Sequence, residues 1–270
     1  MDSSLGARET VLETFGEDGV MLITLNRPEA RNAFNRQMWG DARDALQDAL
    51  LDNRVRCVVV TGAPGAFTAG QDLKEMSTID TAQSESENGF SAFMDVLCRF
   101  DKPLVAAVNG VGVGIGITLL LHCDYVYIAE GSRLRAPFIT LGVVPEAASS
   151  YLFPLVLGWR NAVHLLFESD FIDAARAVEL GLASELCTTG DVLSRAMDRA
   201  RRLAAKPLGS LRATKRLLLA TRDEQVRAAR AREDAAFIGR VGSPENMEAV
   251  MAFLSKRAPD FRNVPSTDKE

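Results

Sequence analysis

Two runs of small residues carry the first chemical signal in the chain, Ala66-Phe-Thr-Ala-Gly-Gln-Asp-Leu73 and Asn109-Gly-Val-Gly-Val-Gly-Ile-Gly116. Residues with little or no side chain let the backbone approach a ligand and turn free N–H groups toward it. Two such turns brought together supply a pair of donors for one developing oxyanion. Glycines at tight strand–helix crossings give the same pattern for purely structural reasons, so neither turn decides alone. The second signal is Glu146, within Ala136-Pro-Phe-Ile-Thr-Leu-Gly-Val-Val-Pro-Glu-Ala-Ala-Ser-Ser150. A carboxylate among Phe138, Leu141, Val143 and Val144 is desolvated, which raises its pKa toward the range a general base needs. The competing reading makes Glu146 a first-turn acid, with Pro145 starting the helix and the helix dipole as its partner.

Other chemistries find less support. The two histidines, His122 and His164, stand in apolar helical contexts and read as core residues. That argues against a metal site and against Ser–His–Asp or Cys–His devices. Gly110-Val-Gly-Val-Gly-Ile-Gly116 lacks the G-x-G-x-x-G spacing of a dinucleotide site, and no P-loop Lys-Ser or Lys-Thr follows it. Cys57, Cys98, Cys123 and Cys187 show no CxxC spacing and read as reduced core residues of a cytosolic protein.

The elements that must position these residues are legible in outline. The chain has 270 residues, 47 % of them hydrophobic and 25 % charged, with a net charge of −5. That is a soluble globular composition without a nucleic-acid footprint. Met1 to Thr10 has neither the basic nor the apolar part of a secretory signal, and Gly112 to Leu121 is too short to span a bilayer. A cytoplasmic location is therefore expected, with no membrane and no nucleic-acid partner. Val11 to Leu25 predicts two strands joined at Glu17-Asp-Gly19. Asn35 to Asp52 predicts a helix with Met38, Ala42, Ala45, Leu46 and Ala49 on its buried face.

Val58–Thr61 and Leu104–Val108 read as buried strands before the two turns, and Tyr125–Ala129 as another. Phe90–Phe100 and Ile117–His122 read as helices, with a polar stretch at Ser77–Gly89. Repeated strand–turn–helix units argue for an α/β architecture. From Asp191 the texture turns helical, with Val192–Leu203 and Glu224–Ile238 as the clearest runs and a polar tail from Pro265. This divides the chain into a core, residues 1–190, carrying the site, and a helical C-terminal region, residues 191–270.

Four ordered motifs now fall together: Ala66 to Leu73, Asn109 to Asp124, Pro137 to Pro145, and Ala252-Phe-Leu-Ser-Lys-Arg-Ala-Pro-Asp-Phe261. The chain resembles the crotonase superfamily of enoyl-CoA hydratases and isomerases from about Val20 to Phe261. The resemblance implies a spiral of β-β-α units with a helical C-terminal trimerisation region. It also implies an acyl-CoA thioester substrate in lipid metabolism, no separate cofactor, and a homotrimer or a dimer of trimers. It maps an oxyanion hole onto the backbone N–H groups of Thr68 and Ile115, with a helix starting near Ile117 aimed at the thioester oxygen. The two glutamates that activate water in hydratases fall at Thr118 and Phe138, so the usual hydration mechanism lacks its acids. The segment around Glu146 resembles the peroxisomal-type 3,2-trans-enoyl-CoA isomerases, which places the proton-shuttling glutamate at Glu146. The implied activity is a double-bond shift from 3-enoyl-CoA to trans-2-enoyl-CoA. Hydration, ring-acyl-CoA isomerisation and a non-catalytic binding role are the alternatives.

Further substrate contacts implied by the resemblance are Ala66, Ala69, Gly70, Gln71, Asp72, Leu73, Gly114 and Phe138. Asp72 also reads as a helix cap. Arg31 and Lys74 fall where the family often has a base near the CoA phosphates, though each also reads as a solvated surface charge. Phe253 and Lys256 match a pair that reaches the adenosine part of CoA from a neighbouring subunit.

Overall fold

The computed structural model of the chain describes residues 8–76 and 89–265. Strands Val11–Phe15 (β1) and Val20–Leu25 (β2) pair antiparallel across Glu17-Asp-Gly19, with Phe15 opposite Met21. Asn35 caps helix Arg36–Leu51 (α1), its Oδ1 accepting from Met38 N at 2.9 Å. The helix buries the face expected from its spacing and adds Trp39 to it. There follow Cys57–Gly62 (β3), Leu73–Met76 (α2), Gly89–Arg99 (α3), Leu104–Val108 (β4) and Gly112–Val113 (β5). Ile115–Thr118 (α4), Tyr125–Ala129 (β6), Arg133–Arg135 (β7), Ser149–Leu157 (α5) and Trp159–Glu168 (α6) come next. Ile172–Asp173 (β8), Ala174–Glu179 (α7) and Glu185–Cys187 (β9) complete this part. Four α-helices follow, Val192–Ala204 (α8), Leu208–Ala220 (α9), Asp223–Arg240 (α10) and Pro244–Leu254 (α11), and a 3-10 turn over Phe261–Asn263 comes last among the described elements. The polar stretch falls at residues 77–88, outside the described residues, and Gly89 opens α3.

The larger sheet has the order β1-β2-β3-β4-β6-β9, parallel from β2 onward. Parallel strands covered on both faces read as unbroken apolar runs, which is why β3 and β4 show no alternation in the sequence. Val58, Val60, Ala106 and Val108 pack on the side of α1 and α3. Val59, Val105 and Ala107 face the opposite way, against Val192, Ala196 and Ala200 of α8. A smaller sheet, β5-β7-β8, stands beside it. After β4 the chain enters β5, and after β6 it enters β7, paired parallel with Gly112 opposite Leu134. After β3 the same step is a single bridge, Thr68 to Gly112. Long strand, short strand, helix: the repeated step winds the spiral and brings the two turns side by side.

The helix expected over Ile117–His122 starts earlier, at Ile115, and tightens into a 3-10 turn over Leu119–His122. Gly114 explains the early start: its φ of 57° and ψ of −116° turn the chain sharply into the helix, a conformation that needs glycine. His164 is exposed on α6 and not a core residue, because it lies off the face that α6 buries with Ala162, Leu165 and Leu166. Cys57 and Cys187 are buried, Cys98 and Cys123 half-buried, and all four are free thiols. No helix among the described residues is long and apolar enough to cross a membrane.

Asp101-Lys-Pro103, a helix stop in the sequence, is a junction in the structure. Lys102 is buried and donates to the carbonyls of Ala49 and Asp52 at the end of α1, each at 2.7 Å. Asp101 accepts from Arg212 through both oxygens, at 2.9 and 3.0 Å. Lys215 donates to Asp124 at 2.7 Å and to Lys102 O at 2.8 Å. α9 is thereby fastened to the end of the sheet from which β4 starts.

Candidate active site

The two turns meet through their glycines. A Cβ on Gly70 would lie 2.7 Å from Val113 O, closer than any side chain tolerates, and a Cβ on Gly114 would lie 3.9 Å from Gly70 Cα. The turns are also stitched by Phe67 N to Val111 O and Val113 N to Thr68 O, both at 3.0 Å. That stitching corrects one expectation. Thr68 N–H donates to Val111 O at 3.0 Å, so it is consumed in the bridge between the turns and cannot meet a ligand. Phe34 N donates to Gly70 O at 2.7 Å and Asp72 N to Phe34 O at 2.8 Å. Between those two rungs the Gln71 N–H points the other way, and no acceptor among the described residues takes it. Ile115 N–H, in the first turn of α4, likewise has no acceptor there. Each of these donors directly follows one of the two facing glycines.

A scaffold of polar side chains holds the first turn. Asn32, fully buried, donates to the carbonyls of Ala63 and Ala66 at 3.0 and 2.8 Å. Thr68 Oγ1 donates to Asn32 O at 2.7 Å and accepts from Gly70 N at 3.1 Å. The Trp39 indole N–H donates to Gln71 Oε1 at 2.9 Å and so fixes that side chain. Asp72 accepts from Lys74 N at 3.2 Å, capping α2, and from Arg27 at 3.1 Å.

Glu146 faces the same place. Its Oε1 lies 3.9 Å from the position a Cβ on Gly114 would occupy. The side chain is half-buried, and its carboxylate has no hydrogen-bond partner among the described residues. Burial pushes its pKa up to about 8, with repulsion from Glu233 and Asp234 of α10 adding to the rise. The first-turn alternative fails, because α5 starts only at Ser149. Between them Ala147 and Ala148 both take left-handed backbone, φ 61° and 60°, which costs roughly 1–2 kcal/mol per residue. Two distant side chains hold that turn. His122 Nε2 lies 2.9 Å from Ala147 O. Burial drives its pKa down to about 4, so the neutral ring donates from Nε2. Glu233 accepts from Ala148 N at 2.6 Å and from Ser150 N at 2.7 Å.

The remaining positions separate into two groups. Ala66, Gly114 and Phe138 are buried, and Ala69 and Leu73 half-buried. Phe138 joins Ile115, Ile117, Val143 and Ala147 in the main apolar core. Thr118 is buried, its hydroxyl turned back to Gly114 O at 3.3 Å. Arg31, Lys74, Phe253 and Lys256 are exposed. Arg31 joins the first turn through its carbonyl, which accepts from Ala69 N at 3.0 Å. The parts that spacing could not announce are Asn32, Trp39 and Glu233, and the anchoring role of His122. Their partners are mostly backbone atoms 25 to 85 residues away.

The spiral thus brings together two facing glycine turns, two N–H groups without an acceptor among the described residues, and one desolvated carboxylate. The family model of enoyl-CoA hydratase/isomerase matches residues 16–264. The chain is 34 % identical over 243 residues to 2,3-dehydroadipyl-CoA hydratase of Escherichia coli (strain K12), covering 90 % of this chain and 95 % of that one. It is 33 % identical over 245 residues to enoyl-CoA delta isomerase 2 of Rattus norvegicus, covering 89 % of this chain and 62 % of that one. The crystal structure of an enoyl-CoA hydratase/isomerase from Pseudoalteromonas atlantica T6c superposes with a TM-score of 0.89 at 34 % identity, over 94 % of this chain and all of that one. This chain belongs to the enoyl-CoA hydratase/isomerase family. It is a crotonase-fold enzyme, and an acyl-CoA thioester is the substrate consistent with that family.

Proposed function

We propose that the enzyme moves the double bond of a 3-enoyl-CoA into conjugation, giving trans-2-enoyl-CoA. The observation that carries this reading is Glu146: one desolvated carboxylate, free of hydrogen-bond partners among the described residues, beside Gly114. In the proposed cycle Glu146 takes a proton from C2 of the thioester. The electron pair moves toward the thioester oxygen, where the N–H groups of Ile115 and Gln71 receive the charge. The protonated Glu146 then returns the proton at C4, leaving the double bond between C2 and C3. One such donor is typically worth about 3–4 kcal/mol in the transition state. Hydration of a 2-enoyl thioester needs a held water instead, and Thr118 and Phe138 offer no carboxylate for it. Thr118 turns its hydroxyl to the backbone, and Phe138 lies in the apolar core. In this reading Phe253 and Lys256 serve a neighbouring subunit's CoA in a trimer or dimer of trimers, and the enzyme works in the cytoplasm.

Mixing the enzyme with a 3-enoyl-CoA is expected to raise the absorbance of the conjugated 2-enoyl thioester. Glu146→Gln should lower that rate by about 100-fold to 10,000-fold, the usual contribution of positioned acid–base catalysis. No absorbance change with the wild type, or an unimpaired Glu146→Gln enzyme, sinks the isomerase reading. Hydration of crotonyl-CoA at a rate matching the isomerisation would show that Thr118 and Phe138 do not exclude water.

A further inference from the structure

Glu146 sits at the head of a turn that its own helix does not stabilise. Ala147 and Ala148 hold left-handed φ values that L side chains rarely adopt, and α5 begins behind them with no side-chain cap. The missing cap comes from elsewhere in the chain. Glu233, buried in the middle of α10, accepts from Ala148 N at 2.6 Å and Ser150 N at 2.7 Å. A carboxylate has an acceptor oxygen for each donor, which a serine or asparagine cap does not. On the opposite edge His122, at the end of the 3-10 turn that continues α4, holds Ala147 O. The base-bearing turn is thus tied at its carbonyl to the oxyanion-side helix and at its N–H groups to α10.

We propose that Glu233 is a positioning residue: its carboxylate, opposed by His122, clamps the turn from Ala147 to Ser150. The clamp sets where the Glu146 carboxylate stands against the two glycine turns. This rests on the proposed role of Glu146 as the base. The same arrangement places negative charge near that base. Glu233 and Asp234 of α10 repel the charge of Glu146, while His122, on the carbonyl side of the turn, is neutral. A like charge disfavours the ionised carboxylate, so Glu233 also raises the pH at which Glu146 becomes active.

The test compares Glu233→Gln, Glu233→Asp and Glu146→Gln with the wild type in the full-length enzyme, following isomerisation from pH 5 to 10. Glu233→Gln keeps the shape but sets an amide N–H against a backbone donor and removes the charge. Its kcat is expected to fall by about 10- to 100-fold, the range for a small misplacement of a catalytic group, with KM within about twofold. Its acid limb should move to lower pH, because the repulsion on Glu146 is gone. Glu233→Asp keeps the charge but shortens the reach: kcat should fall while the limb stays in place. Wild-type kcat in both variants overturns the clamp, and an unmoved limb in Glu233→Gln overturns the effect of its charge on Glu146. A loss of kcat that merely tracks the fraction unfolded also overturns the clamp. If Glu233→Gln does not fold, Glu233→Asp decides alone, a wild-type kcat there overturning the proposal. An active Glu146→Gln enzyme would instead refute the base assignment, whereas an inactive one beside fully active Glu233 variants refutes only the clamp.

Discussion

At the scale of single residues, Glu146 is an acid placed where its charged form is disfavoured. Its pKa stands near 8 against an ordinary 4.5, chiefly from burial. Between those two values the folded protein holds a proton that the unfolded chain has released. The stability this contributes is complete below about pH 4.5 and is lost as pH rises through about 8. With Glu146 as the proposed base, activity runs the other way, since only the ionised carboxylate abstracts a proton. Glu146→Gln removes the titration, so its Tm should match the wild type near pH 5 and exceed it at pH 9. Thermal unfolding at the two pH values checks this. An equal Tm difference at both would mean that the carboxyl is open to water and not desolvated.

At the scale of elements, the site depends on how closely two backbone turns approach. Gly70 marks the closest point, its φ at 88° and its hydrogen side only 2.7 Å, at Cβ position, from Val113 O. Gly70→Ala must push the turns apart, because the obstacle is backbone and not a side chain that can swing away. The fold should survive, since the turns are also joined by Phe67–Val111 and Thr68–Val113 hydrogen bonds. We expect kcat to fall by about 100-fold with little change in far-ultraviolet circular dichroism, as displaced donors no longer meet the forming charge. Unchanged turnover would show that the two turns do not act together.

The same elements show what the sequence discloses and what it withholds. Val58–Thr61 and Leu104–Val108 are recognisable as buried strands because continuous β-branched and small apolar runs are what doubly covered parallel strands require. The glycine turns are recognisable because small residues announce close approach. Which N–H in a turn stays free is not local information. It follows from the pairing of Phe34 with Gln71 and of Thr68 with Gly112, partners 37 and 44 residues apart. Thr68 and Gln71 are therefore indistinguishable as donors until the pairing is known. Glu233 is hidden for the same reason: it stands in a charged helix like any other acid, 83 residues from Ser150.

At the scale of the whole molecule, the last four helices both complete the fold and leave apolar surface uncovered. α8 seals one face of the large sheet, α9 is fastened through Lys215 and Arg212, and α10 brings Glu233 to the site. Yet Leu217 is 73 % exposed, Leu218 66 %, Ile238 59 % and Phe253 56 %. Where such side chains form one contiguous patch, they mark a contact surface. In the trimer proposed above this surface would be covered, and Lys256, exposed just beyond α11, would meet a neighbour's substrate. An ammonium on the CoA handle binds ground state and transition state alike, so its loss appears in KM and not in kcat. Sedimentation should therefore give three or six times the 29.3 kDa chain mass. Lys256→Ala should raise KM for the enoyl-CoA several-fold at unchanged kcat, and weaken inhibition by free CoA in proportion. A fully active particle of single-chain mass, with KM untouched by Lys256→Ala, would place the CoA handle within one subunit and leave the apolar helices for another partner.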